Sequence, residues 1–366
     1  MDACGDPPGR PRAASAGRLT RALPRHGLTL PMRSVPSRHQ RNLHHVEGGM
    51  MQEIRFRAMG TDCHVLVEAL DENVETTLLT LAVERVELLE QSWSRFRPTS
   101  ELSRLNARAG SGPIEVSADL LLLVTRMSQA WRESDGLFDP TVLDSMNRLG
   151  YDADFAEVST RVIPAASDIA VLPAPGMGGV RTDAATMTVT LPAGVGLDPG
   201  AIGKGLAADI VVEELLGIGA SAVLVNLGGD IAIGGALIDP WRIAVTDERL
   251  PRDIDERTLE VIELPRDVTR AGIATSTTLK RRWAEGLRHH VIDPRTGSMA
   301  TGSYLQATVI APQAWQAEVA ASIALLRDDA AAWLEEQHVD ALLLTPDNTH
   351  ITGALASATP LGALNG

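Results

Sequence analysis

Leu197-Asp198-Pro199-Gly200-Ala201-Ile202-Gly203-Lys204-Gly205 runs directly into an apolar, helix-spaced stretch that continues to Leu216. The run sets a carboxylate, three glycines and a lysine at the start of a helix. Small residues let a backbone approach a ligand closely, free N–H groups at a helix start attract anions, and a lysine adds a point charge suited to phosphate. The same residue types also suit a plain strand-to-helix connection. At Asp209, one turn beyond Gly205, an ordinary exposed helix residue would look the same.

Two further segments of similar character follow. Asn226-Leu227-Gly228-Gly229-Asp230 comes after the strand-like Ala222-Val223-Leu224-Val225, and its Gly-Gly-Asp also suits a hairpin turn. His289-His290-Val291-Ile292-Asp293-Pro294-Arg295-Thr296-Gly297 ends in a strong turn signal. Glu318 and Ser322 stand four apart on an expected helix and so share a face. A carboxylate and a hydroxyl there supply two hard oxygens of the kind magnesium takes. A dipole-favoured glutamate and a small packing serine would look the same.

At 366 residues the chain can hold one large domain or two ordinary ones. Aromatics make up only 3%, so the core must be built from Ala, Val, Leu and Ile. A net charge of −14 argues against sequence-independent nucleic-acid binding, which needs a basic face. Cys4 and Cys63 have no CxxC partner and cannot form a disulfide framework. No run approaches the ~18 apolar residues of a membrane span.

Residues 1–50 differ from the rest, with eight arginines, no lysine and three acids. They lack an apolar core of the secretory type. The expectation is a disordered Arg-rich extension, or sequence upstream of a true start at Met50 or Met51. Residues 53–366 carry the folded domain, with no Pro/Gly/Ser linker dividing them.

Strand patterns are expected at 54–67, broken at Met59-Gly60-Thr61, and at 187–191, 222–227, 231–233, 241–245, 259–264, 272–276 and 305–311. Helical spacing covers 72–93, a stretch from the N-cap Ser117 to before Gly136, 203–216, 315–326 and 330–337. Strands in runs with grouped helices favour an α+β fold over regular βαβ winding.

The joint pattern resembles the ApbE family, the FAD:protein FMN transferases, from about Phe56 to Leu344. The resemblance rests on Met59-Gly60-Thr61; Ser94-Arg95-Phe96-Arg97-Pro98 with Ser100 to Asn106; Gly136-Leu137-Phe138-Asp139-Pro140-Thr141-Val142; Asp198 to Asp209; Asn226 to Asp230; Ala274-Thr275-Ser276; His290 to Gly297; and Thr308-Val309-Ile310-Ala311-Pro312 leading to Glu318.

The resemblance implies an α+β fold binding FAD and magnesium. The implied reaction moves FMN from FAD to a Thr or Ser hydroxyl of an acceptor flavoprotein, with release of AMP. FAD contacts would fall on Met59, Phe96, Leu137, Phe138, Asp139, Asp198, Lys204 and the backbone near Val291. Magnesium ligands would be the carbonyl of Ala201 and the side chains of Glu318 and Ser322. His290 is the candidate base, Asp293 its orienting partner, and Lys204 a source of positive charge. Acceptors would carry a segment like Asp-Gly-x-Thr/Ser.

Three departures from the family pattern stand out. Glu318 and Ser322 occupy positions more often Asp and Thr. Thr277-Thr278, followed by Leu279-Lys280-Arg281-Arg282-Trp283, stands where the family usually has Gly-Asp after Ser276. Many members are exported lipoproteins, whereas this chain shows no such signal, and a cytoplasmic location is expected. The alternatives are an FAD-binding protein without transfer activity and a pyrophosphatase giving FMN and AMP.

Overall fold

The computed structural model describes residues 40–46, 49–162, 170–235, 237, 239–251 and 257–353, with side chains from Met51 onward. The described residues fall in one compact unit. Most of the expected N-terminal extension lies outside them, but strand pairing reaches back to Gln40, ahead of the expected boundary at residue 50.

A nine-stranded sheet forms the frame. Its strands are β1 (Gln40–Val46), β2 (Gly49–Ala58), β3 (Thr61–Glu68), β4 (Ala222–Leu227), β5 (Asp230–Gly235), β6 (Arg270–Thr277), β7 (Gln306–Ala311), β8 (Asp340–Leu344) and β9 (Thr349–Thr352). They lie side by side in that order, and every neighbouring pair is antiparallel. The α+β expectation therefore holds.

The longest excursion separates β3 from β4. It begins with α1 (Glu72–Trp93), whose N-cap Asp71 accepts the N–H groups of Asn73 and Val74 at 2.9 and 3.0 Å. Leu78, Leu79, Ala82, Val83, Val86, Leu89 and Trp93 form its buried stripe. Ser117 caps α2 (Ala118–Glu133) by accepting the Leu120 N–H at 3.2 Å. The excursion ends with α3 (Gly203–Gly217). Between β7 and β8 lie α4 (Ala314–Ala324) and α5 (Ala330–Glu336).

Side chains alternate across each strand, so a strand buried on both faces must be apolar throughout. On β4, Val223, Val225 and Leu227 join the cluster formed with α1, α2 and α3. Ala222 and Leu224 point the other way, into a cluster with Trp241, Ile243, Val245, Ile262 and Leu264 from the hairpin Arg242–Thr246 and Thr258–Glu263 and its flanks. Helices thus cover one face and a hairpin the other, which explains why 222–227 reads as a continuous apolar run. Among the described residues no helix is long and apolar enough to cross a membrane.

Two tight turns sit at one end of this sheet. Met59 and Gly60 join β2 to β3 at φ 50° and 68°. Gly228 and Gly229 join β4 to β5 at φ 73° and 103°. Two consecutive positive φ values match the twist of a two-residue hairpin, and glycine supplies them without strain. A Cβ on Gly228 would lie 2.1 Å from the Thr61 hydroxyl oxygen, so the two turns pack too closely for any side chain there.

Candidate active site

The sheet end carrying these turns opens into a cavity of about 1090 Å³. Met59, Phe96, Leu137, Phe138, Asp139 and Asp198 line it, as do Ala201, Lys204, His290, Val291, Glu318 and Ser322. Of the expected site residues, Asp293 alone is absent from the lining.

The N terminus of α3 is held against that of α4 by small residues. A Cβ on Gly205 would come within 2.5 Å of the Ala314 carbonyl oxygen, and one on Gly272 of β6 within 2.1 Å of the Ala314 nitrogen. Gln313, at the N-cap position of α4, makes no side-chain cap. Asp209 caps instead, accepting the N–H groups of Ala314 and Trp315 at 3.0 Å each. Asp209 is buried, which rules out the ordinary exposed helix residue that the sequence left open. Burial pushes its carboxyl up to about 6, against the pull of those two N–H groups.

This close approach brings Lys204 of α3 to Glu318 of α4. The Lys204 ammonium donates to Glu318 Oε1 at 2.8 Å and to Asp230 Oδ2 on β5. Glu318 Oε2 accepts the Gly205 N–H at 2.8 Å. Both carboxylates are buried. Burial pulls the Lys204 pKa down, but Asp230 and Glu318 outweigh it and the net shift is upward. Burial, then the charge of Asp230, pushes the Glu318 carboxyl up to about 7.

Two carboxylates face one ammonium, so the cluster has anionic charge to spare and its chemistry suits a hard cation. Ser322 adds a hydroxyl, shared with Ser276 at 3.1 Å, and Ala201 lines the same space. Among the described residues no three His, Cys, Asp or Glu side chains converge as a ligand set. A cation here would draw on one or two carboxylates with hydroxyl, carbonyl and water oxygens, the arrangement magnesium favours. The residues present fit that ion.

Asp198 lines the same cavity. Its Oδ1 accepts the Gly200 N–H at 2.8 Å and its Oδ2 pairs with Arg95 Nε at 3.1 Å, both side chains being buried. The Arg95 guanidinium lies 4.1 Å from the Phe96 ring centre and 4.7 Å from that of Tyr151. Cation and rings thereby fix one another, the two rings standing 44° apart in plane. Asp139 closes this side by accepting the Thr141 N–H and hydroxyl at 2.9 and 2.6 Å. Its carboxyl is raised by burial, against those Thr141 bonds.

His290 stands near Lys204 with its Nδ1 buried and lacking any hydrogen-bond partner among the described residues. Burial first, then the positive charges of Arg281, His289 and Lys204, hold its pKa well below the usual histidine value. It is a neutral imidazole with one nitrogen unspent. The expected partner Asp293 makes no hydrogen bond to it among the described residues. The Asp293 carboxylate accepts from Arg295 at 2.7 to 3.2 Å, a local pairing favoured by their two-residue separation. Val291 lines the cavity, but its N–H goes to His289 Nδ1 at 3.3 Å and its carbonyl accepts from Ala300 at 2.9 Å. Its backbone is thus already engaged within the protein.

Sequence reading assigned no role to Asp230, Arg95 or Arg281. Asp230 resembles any residue closing a Gly-Gly turn, and Arg281 sits among cations that look alike in one dimension. Only the fold separates them. Lys280 pairs with Glu248 at 2.6 Å, and Arg282 donates to the carbonyls of Gly286 and Thr278, while Arg281 lines the cavity.

Comparison with known proteins places these features in a lineage. The chain is 30% identical over 239 residues to the FAD:protein FMN transferase of Vibrio cholerae serotype O1, covering 63% of this chain and 68% of that protein. It is 28% identical over 313 residues to the protein of the same name from Haemophilus influenzae, covering 81% and 87%. The fold matches the crystal structure of the ApbE protein of Thermotoga maritima with a TM-score of 0.71 at 23% identity, over 83% of this chain and 98% of that one. Apo flavinyl transferase ApbE of Pseudomonas stutzeri matches with a TM-score of 0.68 at 21% identity, over 84% and 96%. The sequence model of the ApbE family matches residues 59–343, from the first tight turn through to β8, and the chain belongs to that family.

Proposed function

We propose that this chain is an FAD:protein FMN transferase, acting on an acceptor flavoprotein through residues 53–366, with residues 1–50 as an extension outside the catalytic domain. One observation carries the reading beyond family membership. A single cavity sets the unspent Nδ1 of the neutral His290 near the buried Lys204–Asp230–Glu318 cluster.

The reaction is a phosphoryl transfer, in which positioning and charge stabilisation do most of the catalysis. The acceptor hydroxyl oxygen bonds to the FMN-side phosphorus of FAD. The bond from that phosphorus to the bridging oxygen breaks, and AMP leaves with the oxygen and its electron pair. The hydroxyl proton passes to His290, whose neutral state leaves a nitrogen free to take it. Lys204, held charged by its two carboxylates, opposes the negative charge on the phosphates. Met59, Phe96 and Leu137 offer apolar surface to the flavin, while Asp139 and Asp198 hold the loops that carry them. Glu318, Ser322 and the Ala201 carbonyl would hold magnesium, which supplies charge neutralisation at the pyrophosphate oxygens.

The test incubates purified protein with FAD and magnesium, with and without a flavoprotein fragment bearing an Asp-Gly-x-Thr/Ser segment. AMP release matched by a mass gain of one FMN on the fragment is the expected result. AMP with free FMN and an unmodified fragment would replace the reading with a pyrophosphatase. Intact FAD across several acceptors would leave only a binding protein. E318Q should raise the magnesium concentration required for transfer.

A further inference from the structure

Nearly every cation lining the cavity is matched to a carboxylate. Arg95 is held by Asp198, Lys204 by Asp230 and Glu318, and Lys280 and Arg257 by Glu248. At the rim Arg57 pairs with Asp62 and Arg97 with Glu90. Arg281 is the exception. Its side chain makes no hydrogen bond or ion pair among the described residues, although it is half-buried and lines the same cavity.

Its position is built. The chain before it is pinned to Leu305, whose carbonyl accepts the Thr277 hydroxyl and the Thr278 N–H at 2.9 Å each. The chain after it is anchored by Trp283, which is 2% exposed, donates its indole N–H to the Leu149 carbonyl at 2.8 Å and packs against Tyr151 at 5.2 Å between ring centres. Between these anchors Arg281 holds φ at 47°, in the left-handed region that arginine rarely adopts. Such strain persists only where the surroundings over-determine it. The charge of Arg281 acts on Lys204, Asp230, His290 and Tyr151, residues from four separate segments around the cavity.

A preorganised guanidinium with no carboxylate of its own, beside a lysine already matched, lacks only an anion with paired oxygens. We propose that Arg281 is a substrate-binding residue for the diphosphate of FAD, closing on its oxygens from beside the Lys204 cluster. This rests on the transferase reading for the identity of the ligand, but the anion site itself is separable from it.

The test measures binding of three probes, FAD, riboflavin and inorganic pyrophosphate, to wild type, R281K and R281A without acceptor. Flavin fluorescence follows the first two and calorimetry the third. R281A should weaken FAD and pyrophosphate by roughly 10- to 100-fold, as for loss of a charge-assisted pair, and leave riboflavin unchanged. R281K should fall between, since ammonium keeps the charge but not the fork. FAD affinity of wild type should fall more steeply with salt than that of R281A.

Equal weakening of riboflavin and FAD would show a merely structural residue and overturn the proposal, as would unchanged pyrophosphate binding in R281A. Wild type that binds pyrophosphate through Arg281 but not FAD would leave the anion site standing and defeat the transferase reading instead. Unaltered melting of R281A separates ligand loss from misfolding.

Discussion

The carboxylate of Asp209, in the middle of α3, caps the N terminus of α4 through the N–H groups of Ala314 and Trp315. Helix starts leave N–H groups without intrahelical partners. Here they are satisfied from another helix, which sets the angle and depth at which α4 meets α3. One turn further along α4, Glu318 reaches back to Lys204 and Gly205. The cap and the Lys204 cluster are two rungs of one helix–helix contact.

D209A should destabilise the protein by about 1–3 kcal/mol, combining a lost cap with unsatisfied buried N–H groups. Urea unfolding measures it. The pH dependence has a definite sign. The Asp209 carboxyl titrates near 6 in the native state against 3.8 as its ordinary value. The native state therefore holds this proton more tightly, and the contribution to stability falls as pH rises from about 4 through 6. Wild type should lose stability relative to D209N across that window; a constant difference would refute the assignment.

G205A and G272A should each perturb the same contact, because the added methyl meets backbone atoms of Ala314 rather than a side chain that could swing away. Overpacking of this kind costs about 1–3 kcal/mol. Both variants should melt at lower temperature and lose transfer activity more than the stability change accounts for, since α4 carries Glu318. G217A, where a Cβ would meet nothing within 4 Å, is the control.

K204M removes the only ammonium between two buried carboxylates. Breaking a buried ion cluster from one side costs about 3–5 kcal/mol. The double variant K204M/E318Q should recover part of that loss, because one uncompensated charge goes with it. Chemical denaturation of the four-member cycle gives the interaction energy directly. Additive losses would mean that the two groups do not act on each other.

H290Q should reduce FMN transfer by roughly 10²–10⁴-fold, the usual worth of a positioned base, while FAD binding stays within a few-fold of wild type. Because burial and its cationic neighbours hold His290 neutral, the change in transfer between pH 8 and 6.5 should have the same shape in wild type and in the residual activity of H290Q. D293A should retain transfer, since that carboxylate serves Arg295. Initial rates across pH with a mass readout of the acceptor decide both.

The local elements were legible in one dimension. The expected helix at 72–93 is α1 to the residue, and Ser117 caps α2, because apolar spacing and capping groups act over a few residues. The expected strand at 222–227 is β4, since a strand buried on both faces needs an unbroken apolar run. The family motifs brought Lys204, Glu318, Ser322 and His290 to attention, and the fold sets all four on one cavity.

What the sequence could not decide is which side chains within those motifs are spent on the protein itself. Asp293 looked like a partner for His290 but is consumed by Arg295 two residues away. Asp209 could pass for an ordinary exposed helix residue and is the buried cap of another helix. Arg281 was one cation in a run of three, and only the folded chain shows its neighbours occupied and its own guanidinium without a partner among the described residues. Periodicity and capping are properties of short segments, so the sequence by itself determined the elements. Pairing of charges depends on distances between segments far apart in the chain, so only the tertiary structure decided which groups face the cavity with bonds left to make.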